Sequence, residues 1–112
     1  MTKSFKDLIV WQKAKDLALL IYKATDRFPR SELYGLTSQM RRAVISISSN
    51  IAESYNRLHA KEKNQFLAVA YGSGSELESQ LEIAKELYPD REYEKIEGLL
   101  WEVMRILNKL LR

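Results

Sequence analysis

The segment YEKIEGLLWEVMRILNKL, residues 93–110, decides the fold class because its apolar residues recur with the period of a helix. Successive members are separated by 3, 4, 3, 4 and 3 positions: Tyr93, Ile96, Leu100, Val103, Leu107 and Leu110. This spacing places them in one stripe on an α-helix, and an apolar stripe is normally buried against another element. We predict a helix over residues 91–111, with Asp90 as its N-cap after Pro89.

The same spacing returns near the other end of the chain and predicts a first helix over residues 8–27. Its stripe has identical separations: Trp11, Ala14, Ala18, Ile21, Thr25 and Phe28. Both prolines of the chain follow a predicted helix, since Pro29 comes after Phe28 and Pro89 after Tyr88. Proline lacks an amide donor and disfavours helix in the preceding residue, so the chain leaves the helix at these points.

The middle of the chain predicts two more helices, over residues 36–55 and 61–87. The first of them carries one apolar face: Leu36, Met40, Ala43, Ile47, Ile51 and Tyr55. Residues 43–48 are rich in β-branched side chains, and this local pattern also fits a strand. A lone strand among three helices has no pairing partner, so we favour the helix.

The helix over residues 61–87 has a longer stripe, which Gly72 and Gly74 interrupt. Its members are Phe66, Ala70, Ser73, Leu77, Leu81, Ala84 and Tyr88. Each glycine costs about 1 kcal/mol in a helix interior, so either the helix breaks here or it crosses a neighbour closely at small side chains. The apolar phase continues across the glycines and favours the crossing. A turn at residues 56–60 competes with one long helix over residues 37–88.

Four helices of about 20 residues, each ~30 Å long and joined by short connections, predict an antiparallel up-down-up-down four-helix bundle. We therefore expect an all-α protein with a single domain over residues 1–112. No apolar run approaches the ~20 residues that span a bilayer. The N-terminus has no apolar secretory core, so we expect a cytoplasmic protein without a membrane partner.

The residues give little support to catalysis. The chain has no cysteine, which excludes disulfides, thiolate nucleophiles and cysteine-bound metal sites. His59 is the only histidine, and no Gly-x-x-x-x-Gly-Lys phosphate loop occurs. Glu78, Glu82 and Glu86 form an i, i+4 ladder, which is far more typical of a solvated acidic face than of a divalent-metal site. We expect no enzyme activity, no cofactor and no metal.

Charge is distributed unevenly along the chain. Residues 1–57 contain ten Lys/Arg and five Asp/Glu, a net +5, whereas residues 58–112 contain eight and ten, a net −2. Such a division indicates an anionic partner, or else two halves that neutralise each other within the bundle or between subunits. Guanidinium groups bind phosphate oxygens in a forked geometry, and this contact would be sequence-independent and salt-sensitive. The candidate nucleic-acid-binding residues are Lys13, Lys15, Arg41, Arg42 and Arg57.

The first and fourth helices carry more apolar surface than one stripe requires. The surplus residues are Val10, Leu17, Leu20, Leu99, Trp101, Met104, Ile106 and Leu111. Large exposed apolar patches usually mark contacts, so we predict a homo-oligomer with Trp101, Met104 and Leu111 at the subunit interface. The alternative is that wide stripes serve the bundle core. A polar stripe on the second helix should hydrogen-bond across helices, or line a groove in an assembly: Gln39, Arg42, Ser46, Asn50, Glu53 and Arg57.

Four motifs extend over most of the chain. They are Phe5-x-x-Leu8-x-Val10-Trp11-Gln12-Lys13-Ala14, Phe28-Pro29-x-x-Glu32-x-Tyr34-Gly35-Leu36-x-x-Gln39-x-Arg41-Arg42-Ala43, Ser46-Ile47-x-x-Asn50-Ile51-Ala52-Glu53 and Ala70-x-Gly72-Ser73-x-x-Glu76-Leu77. In combination they resemble the bacterial four-helix-bundle family that is named for open reading frames inside intervening sequences of 23S rRNA genes. Ser54 and Gly74 depart from the family pattern. These departures affect the expected local packing of the helices and not the resemblance itself.

The resemblance implies a four-helix bundle that assembles into a homo-oligomer, a ring of five. A similar protein of diversity-generating retroelements is a barrel-shaped pentamer that binds RNA or DNA and associates with a reverse transcriptase. Two functions follow as expectations. The first is non-catalytic binding of RNA or DNA through a basic surface. The second is a protein-interaction scaffold, such as an accessory subunit of a reverse transcriptase, without direct nucleic-acid binding. The resemblance also implies that residues 50–53 and 72–76 hold the second and third helices together.

Overall fold

A computed structural model describes residues 3–111 and contains four α-helices there. They are α1 (Ile9–Asp26), α2 (Leu36–Tyr55), α3 (Ala60–Leu87) and α4 (Glu94–Leu110). The range has no strand, so residues 43–48 follow the helical alternative. The break between α2 and α3 lies at residues 56–59, which confirms the predicted turn and rules out one long helix. Residues 1, 2 and 112 of the predicted domain lie outside the described range.

Local chemistry explains most helix ends. The first helix stops three residues before Pro29 and the third stops two residues before Pro89, as the proline positions predict. Lys63 of α3 donates to the Ser54 and Tyr55 carbonyls, each at 3.2 Å, and so contacts the C-terminal end of α2. The predicted cap of α4 was wrong, because the helix begins at Glu94, after Tyr93 rather than after Asp90.

The helices pack in cyclic order. Helix α2 contacts α1 and α3, and α4 contacts α3 and α1, which is the adjacency that an up-down-up-down bundle requires. The α2–α3 contact is the most extensive of the four and the α3–α4 contact the least. The bundle measures 43 × 22 × 21 Å. Its centre is formed by fully buried aliphatic side chains from all four helices: Leu17, Ile21, Met40, Val44, Ile47, Ile51, Leu77, Leu81, Val103 and Leu107.

The core takes up much of the surplus apolar surface. Leu17 is fully buried and Val10 is 5% exposed, so these two serve the core rather than a partner. Five others are partly buried and pack against the core: Leu20, Leu99, Met104, Ile106 and Leu111. Trp101 differs from the rest, because 63% of its surface is exposed. Of the residues predicted to form a second apolar face, Trp101 alone is therefore largely exposed.

The small residues in the middle of α3 serve close packing, and the helix is continuous as the apolar phase predicts. Ser73 donates a hydrogen bond to the Ser46 hydroxyl of α2 at 2.7 Å. Gly74 is buried against Met104 of α4, whose sulfur occupies the space that a Cβ would fill. Gly72 is exposed, with nothing near its Cβ position. One position therefore contacts α2, another contacts α4, and the third has no packing role.

Candidate nucleic-acid interface

An open groove of about 750 Å³ runs along the outer side of α1 and α2. Its lining combines aromatic, cationic and small polar side chains: Tyr22, Leu33, Tyr34, Thr37, Ser38, Arg41, Arg42, Ile45, Ser46, Ser49 and Asn50. We call this surface the basic groove. Cations for phosphate oxygens and aromatic rings for bases are the two groups that nucleic-acid-binding surfaces combine. It brings together two of the five predicted cationic residues, Arg41 and Arg42.

Arg41 is fixed within the bundle. Its Nε donates to the Thr25 hydroxyl at 2.9 Å, and one Nη donates to the Tyr22 carbonyl and to Asp26, both at 3.3 Å. Its guanidinium carbon lies 4.5 Å from the centre of the Tyr22 ring. These contacts join α1 to α2, so most donors of Arg41 serve the fold. They also cover one face of Tyr22.

Arg42 and Tyr34 are the available members of the basic groove. Arg42 is exposed, and its side chain makes no hydrogen bond or ion pair with another residue of the described range. Tyr34 is 92% exposed. A forked cationic donor and an aromatic ring therefore face solvent on the same surface, without competing side-chain partners among residues 3–111.

A short segment before α2 holds Tyr34 in place. Residues Arg30–Glu32 form a 3-10 turn, and the Glu32 carboxylate accepts hydrogen bonds from the Tyr88 hydroxyl and from the Leu36 amide. The second bond satisfies a free amide at the start of α2, as an N-cap would. A Cβ at Gly35 would lie 2.9 Å from a Glu32 carboxylate oxygen, so glycine leaves room for this cap.

The bonds to Glu32 also affect acidity. The hydrogen bond from Tyr88, followed by that from the Leu36 amide, lowers the pKa of the Glu32 carboxyl because both stabilise its charged form. The same bond raises the pKa of the Tyr88 hydroxyl, since the proton it donates is held by the carboxylate. The two directions agree and describe a neutral tyrosine bonded to an ionised glutamate.

The other three predicted cationic residues lie away from the basic groove. Lys13 pairs with Glu102 of α4 at 2.7 Å, and Lys15 is exposed with its Nζ 5.8 Å from the Trp11 ring centre. Arg57 pairs with Glu53, and its guanidinium carbon lies 4.7 Å from the Phe66 ring centre. Lys13 and Arg57 thus have anionic partners in the chain, and the five residues do not form one patch.

Within residues 3–111, the predicted polar stripe of α2 hydrogen-bonds to α3 at Ser46, and its last member, Arg57, contacts α3 through the Phe66 ring. Asn50 donates to the Ser46 carbonyl at 2.8 Å and to its hydroxyl at 3.1 Å, while Ser46 accepts from Ser73. Gln39 and Arg42 are exposed, and Glu53 pairs with Arg57 inside the helix. Two of the resembling motifs therefore meet at Ser46, where they join α2 to α3.

A second groove, of about 490 Å³, lies between α3 and α4, where the contact between helices is least extensive. We call it the acidic groove. It is lined by Tyr71, Glu78, Leu81, Glu82, Glu97, Leu100, Trp101, Met104, Arg105 and Asn108. Two of the three predicted interface residues, Trp101 and Met104, lie in it, whereas Leu111 packs at the end of the core.

The three glutamates of the predicted ladder differ in their partners. Lys85 bridges Glu82 at 3.3 Å and Glu97 at 2.9 Å, so it joins α3 to α4, and these bonds raise the pKa of its amine. Glu78 and Glu86 are exposed. Within residues 3–111, histidine and carboxylate side chains form no group of three that could hold a metal ion.

Sequence reasoning missed the tyrosines of the basic groove. Tyr22 and Tyr34 are neither in the apolar stripes nor among the predicted site residues, although Tyr34 stands in one of the resembling motifs. The signal available for Tyr34 was its position next to Gly35, eight residues before Arg42 and outside the apolar stripes. Nothing in the sequence shows that a connecting segment returns Tyr34 to the surface that carries the arginines.

Comparisons with known proteins identify the family of the chain. No helix in residues 3–111 has the length and apolarity needed to cross a membrane, and no curated protein matches the sequence. A crystal structure of an S23 ribosomal protein family member from Bacteroides thetaiotaomicron, described as of unknown function, superposes with a TM-score of 0.84. It is 20% identical, and the match covers 93% of this chain and 99% of that one, which shows a shared fold. The family model of 23S rRNA-intervening sequence proteins matches residues 6–109, and the chain therefore belongs to that family.

Proposed function

We propose that this protein is a non-catalytic, cytoplasmic, homo-oligomeric four-helix bundle that binds RNA or DNA through the basic groove. The observation that carries the proposal is Arg42, an exposed arginine without a partner in the described chain, beside Arg41 and Tyr34. An unpaired guanidinium keeps all its donors for phosphate oxygens, which it binds in a bidentate manner. The net charge of +5 on residues 1–57, which include the lining of the basic groove, favours the approach of a polyanion to this part of the molecule.

Oligomerisation is the second part of the proposal and rests on the acidic groove. Trp101 is 63% exposed above an apolar floor that includes Leu100 and Met104. Tryptophan is among the residues enriched at the energetic centres of interfaces. We propose that another copy covers it and that five copies form a closed ring, as the family resemblance implies. A ring needs a head-to-tail contact between two different surfaces, so Trp101 would meet a different face of the next copy.

Charge reversal at one exposed position tests the nucleic-acid site. Arg42→Glu should weaken binding of a fluorescent RNA about tenfold or more at low salt, because charge-assisted hydrogen bonds are lost and repulsion is introduced. Lys95→Glu, which makes the same charge change at an exposed position of α4, is the matched control and should bind nearly as well as wild type. Circular dichroism should show that both variants are folded.

Salt dependence gives a second, independent readout. In Arg42→Ala, the slope of log affinity against log salt concentration should fall by about one, since about one phosphate contact is removed. An unchanged slope and affinity would contradict the assignment of Arg42. Failure of the wild-type oligomer to bind RNA and DNA even at low salt would contradict nucleic-acid binding altogether. The alternative function, a protein-interaction scaffold such as an accessory subunit of a reverse transcriptase, would then be preferred.

A further inference from the structure

We infer that the basic groove selects unpaired nucleotides of a single strand, with one base stacked on Tyr34 and the adjacent phosphate bound by Arg42. This inference rests on the proposed nucleic-acid binding and adds the class of nucleic acid. It starts from the contrast between two tyrosines in one groove. Tyr22 is 40% exposed and has Arg41 over its ring, whereas Tyr34 is 92% exposed.

The exposed ring stands on a fixed backbone. Glu32, two residues before Tyr34, is bonded to Tyr88 at the end of α3 and to the Leu36 amide at the start of α2. The Gly35 amide donates to the Glu32 carbonyl at 2.9 Å, which closes the turn around Tyr34. The ring is therefore a platform whose attachment is ordered before any ligand arrives, and binding loses less conformational entropy than it would on a flexible loop.

The geometry suits a base and not a base pair in a duplex. Base–aromatic stacking needs one free face of the base, and both faces are covered by neighbouring base pairs inside a double helix. Leu33 and Ile45, which are 48% and 43% exposed in the same groove, offer apolar contact to a base or sugar. Ser38 and Ser49 add hydroxyl groups that can bond phosphate or sugar oxygens. A duplex could contact Arg42 through its phosphates but could not use Tyr34.

The experiment compares single-stranded and duplex oligonucleotides of the same sequence, each as RNA and as DNA, by fluorescence anisotropy. The wild-type protein should prefer the single strand. Tyr34→Ala should weaken single-strand binding about tenfold and leave duplex binding nearly unchanged. Tyr34→Phe keeps the ring and should bind like wild type, and Leu58→Ala removes an equally exposed side chain, 92%, from the α2–α3 connection as a control. The RNA and DNA arms show which sugar is preferred; a single-strand preference with either supports the inference.

Several results would overturn the inference while leaving the proposed function intact. One is equal binding of single strand and duplex, and another is unchanged binding by Tyr34→Ala when Arg42→Glu binds weakly. Light scattering on the same samples covers a third case. A change of oligomeric mass in Tyr34→Ala would show that the Tyr34 side chain is a subunit contact instead. If no oligonucleotide binds the wild-type protein, the inference and the proposed function both fail.

Discussion

The basic groove and the acidic groove are built alike but differ in charge. Each lies along two neighbouring helices and has one aromatic side chain with most of its surface exposed, Tyr34 in the first and Trp101 in the second. The acidic groove adds three glutamates and one arginine, whereas the basic groove adds two arginines and no acid to its lining. An exposed aromatic residue alone therefore does not identify a ligand. The surrounding charge decides whether a polyanion is attracted or repelled.

The grooves also differ in how their helices are joined. Arg41 holds α1 to α2 with three hydrogen bonds and a ring contact. Lys85 joins α3 to α4 through Glu97, and Met104 fills the space above Gly74. The hydrogen bonds of Arg41 give the basic groove a defined shape. In the acidic groove, the half-exposed ion pair of Lys85 and the flexible thioether of Met104 allow the side chains to adjust to a partner.

The largest expected effect is on assembly and contrasts Trp101 with an apolar residue of equal exposure. Trp101→Glu should weaken self-association at least thirtyfold, because a charge replaces the centre of the proposed contact. Ile9→Glu is the matched control, since Ile9 is 64% exposed on α1, and should leave the oligomer intact. Light scattering at several protein concentrations measures both. An unchanged mass in Trp101→Glu would remove the acidic groove as the subunit contact.

The second prediction separates the two neighbouring arginines of the basic groove. Arg41→Ala should lower the free energy of unfolding by about 1–2 kcal/mol, because it removes hydrogen bonds and a cation–π contact between α1 and α2. Arg42→Ala should change it by less than about 0.5 kcal/mol, as expected for an exposed side chain without partners in the described part of the chain. Urea unfolding of both variants checks this. Equal losses would mean that the structural and ligand-binding roles are not divided as described.

The third prediction concerns the segment that supports Tyr34. Glu32→Gln should cost about 1 kcal/mol of unfolding free energy near neutral pH, because a charge-assisted cap and the bond from Tyr88 are weakened. The pKa of Glu32 is lowered on folding from its ordinary value of 4.5, so its contribution is present above about that pH. It is lost as the pH falls through the lowered folded value.

The difference between wild type and Glu32→Gln should therefore be largest at pH 7 and shrink toward pH 3. Urea unfolding at both pH values measures it, and Glu86→Gln, a substitution of an exposed glutamate on α3, is the control. A difference that stays constant with pH would show that the charge of Glu32 does not stabilise the turn.

The smallest expected effect compares two glycines in one helix. Gly72→Ala should stabilise the protein by about 0.5–1 kcal/mol, because alanine is a better helix former and nothing lies near the added Cβ. Gly74→Ala has the same helical gain but must displace the Met104 side chain, so it should stabilise less or not at all. Thermal unfolding of both variants gives the difference, which measures the packing of α4 on α3. Equal stabilisation would show that Met104 moves freely.

The residue pattern predicted the helices closely where tertiary context agrees with local preference. The second helix has the predicted bounds, and the third begins one residue before its predicted start. The start of α4 was placed three residues early because Asp90 is a good N-cap by type. Its carboxylate instead lies 3.5 Å from Arg91, which also donates to the Arg27 carbonyl of the segment after α1. A tertiary contact thus competed with a local one.

The candidate site was predicted less well, since a list of cations does not show which of them are paired. Lys13 and Arg57 are charged in the sequence and partly neutralised in the fold by Glu102 and Glu53. The interface prediction has a similar outcome, because Met104 is half-buried against Gly74 and only Trp101 is largely exposed. Pairing and exposure depend on neighbours that are distant in sequence.

By itself the sequence determined that this protein is four helices around one apolar core, because a period of 3.6 residues and two prolines are local properties of the chain. It also determined that the first half is basic. Only the tertiary structure decided that Arg41 is bound within the fold while Arg42 is available, and that Tyr34 stands beside it. The physical reason is that hydrogen-bond partners and solvent exposure arise from the packing of α1 against α2 and of the Glu32 turn against Tyr88.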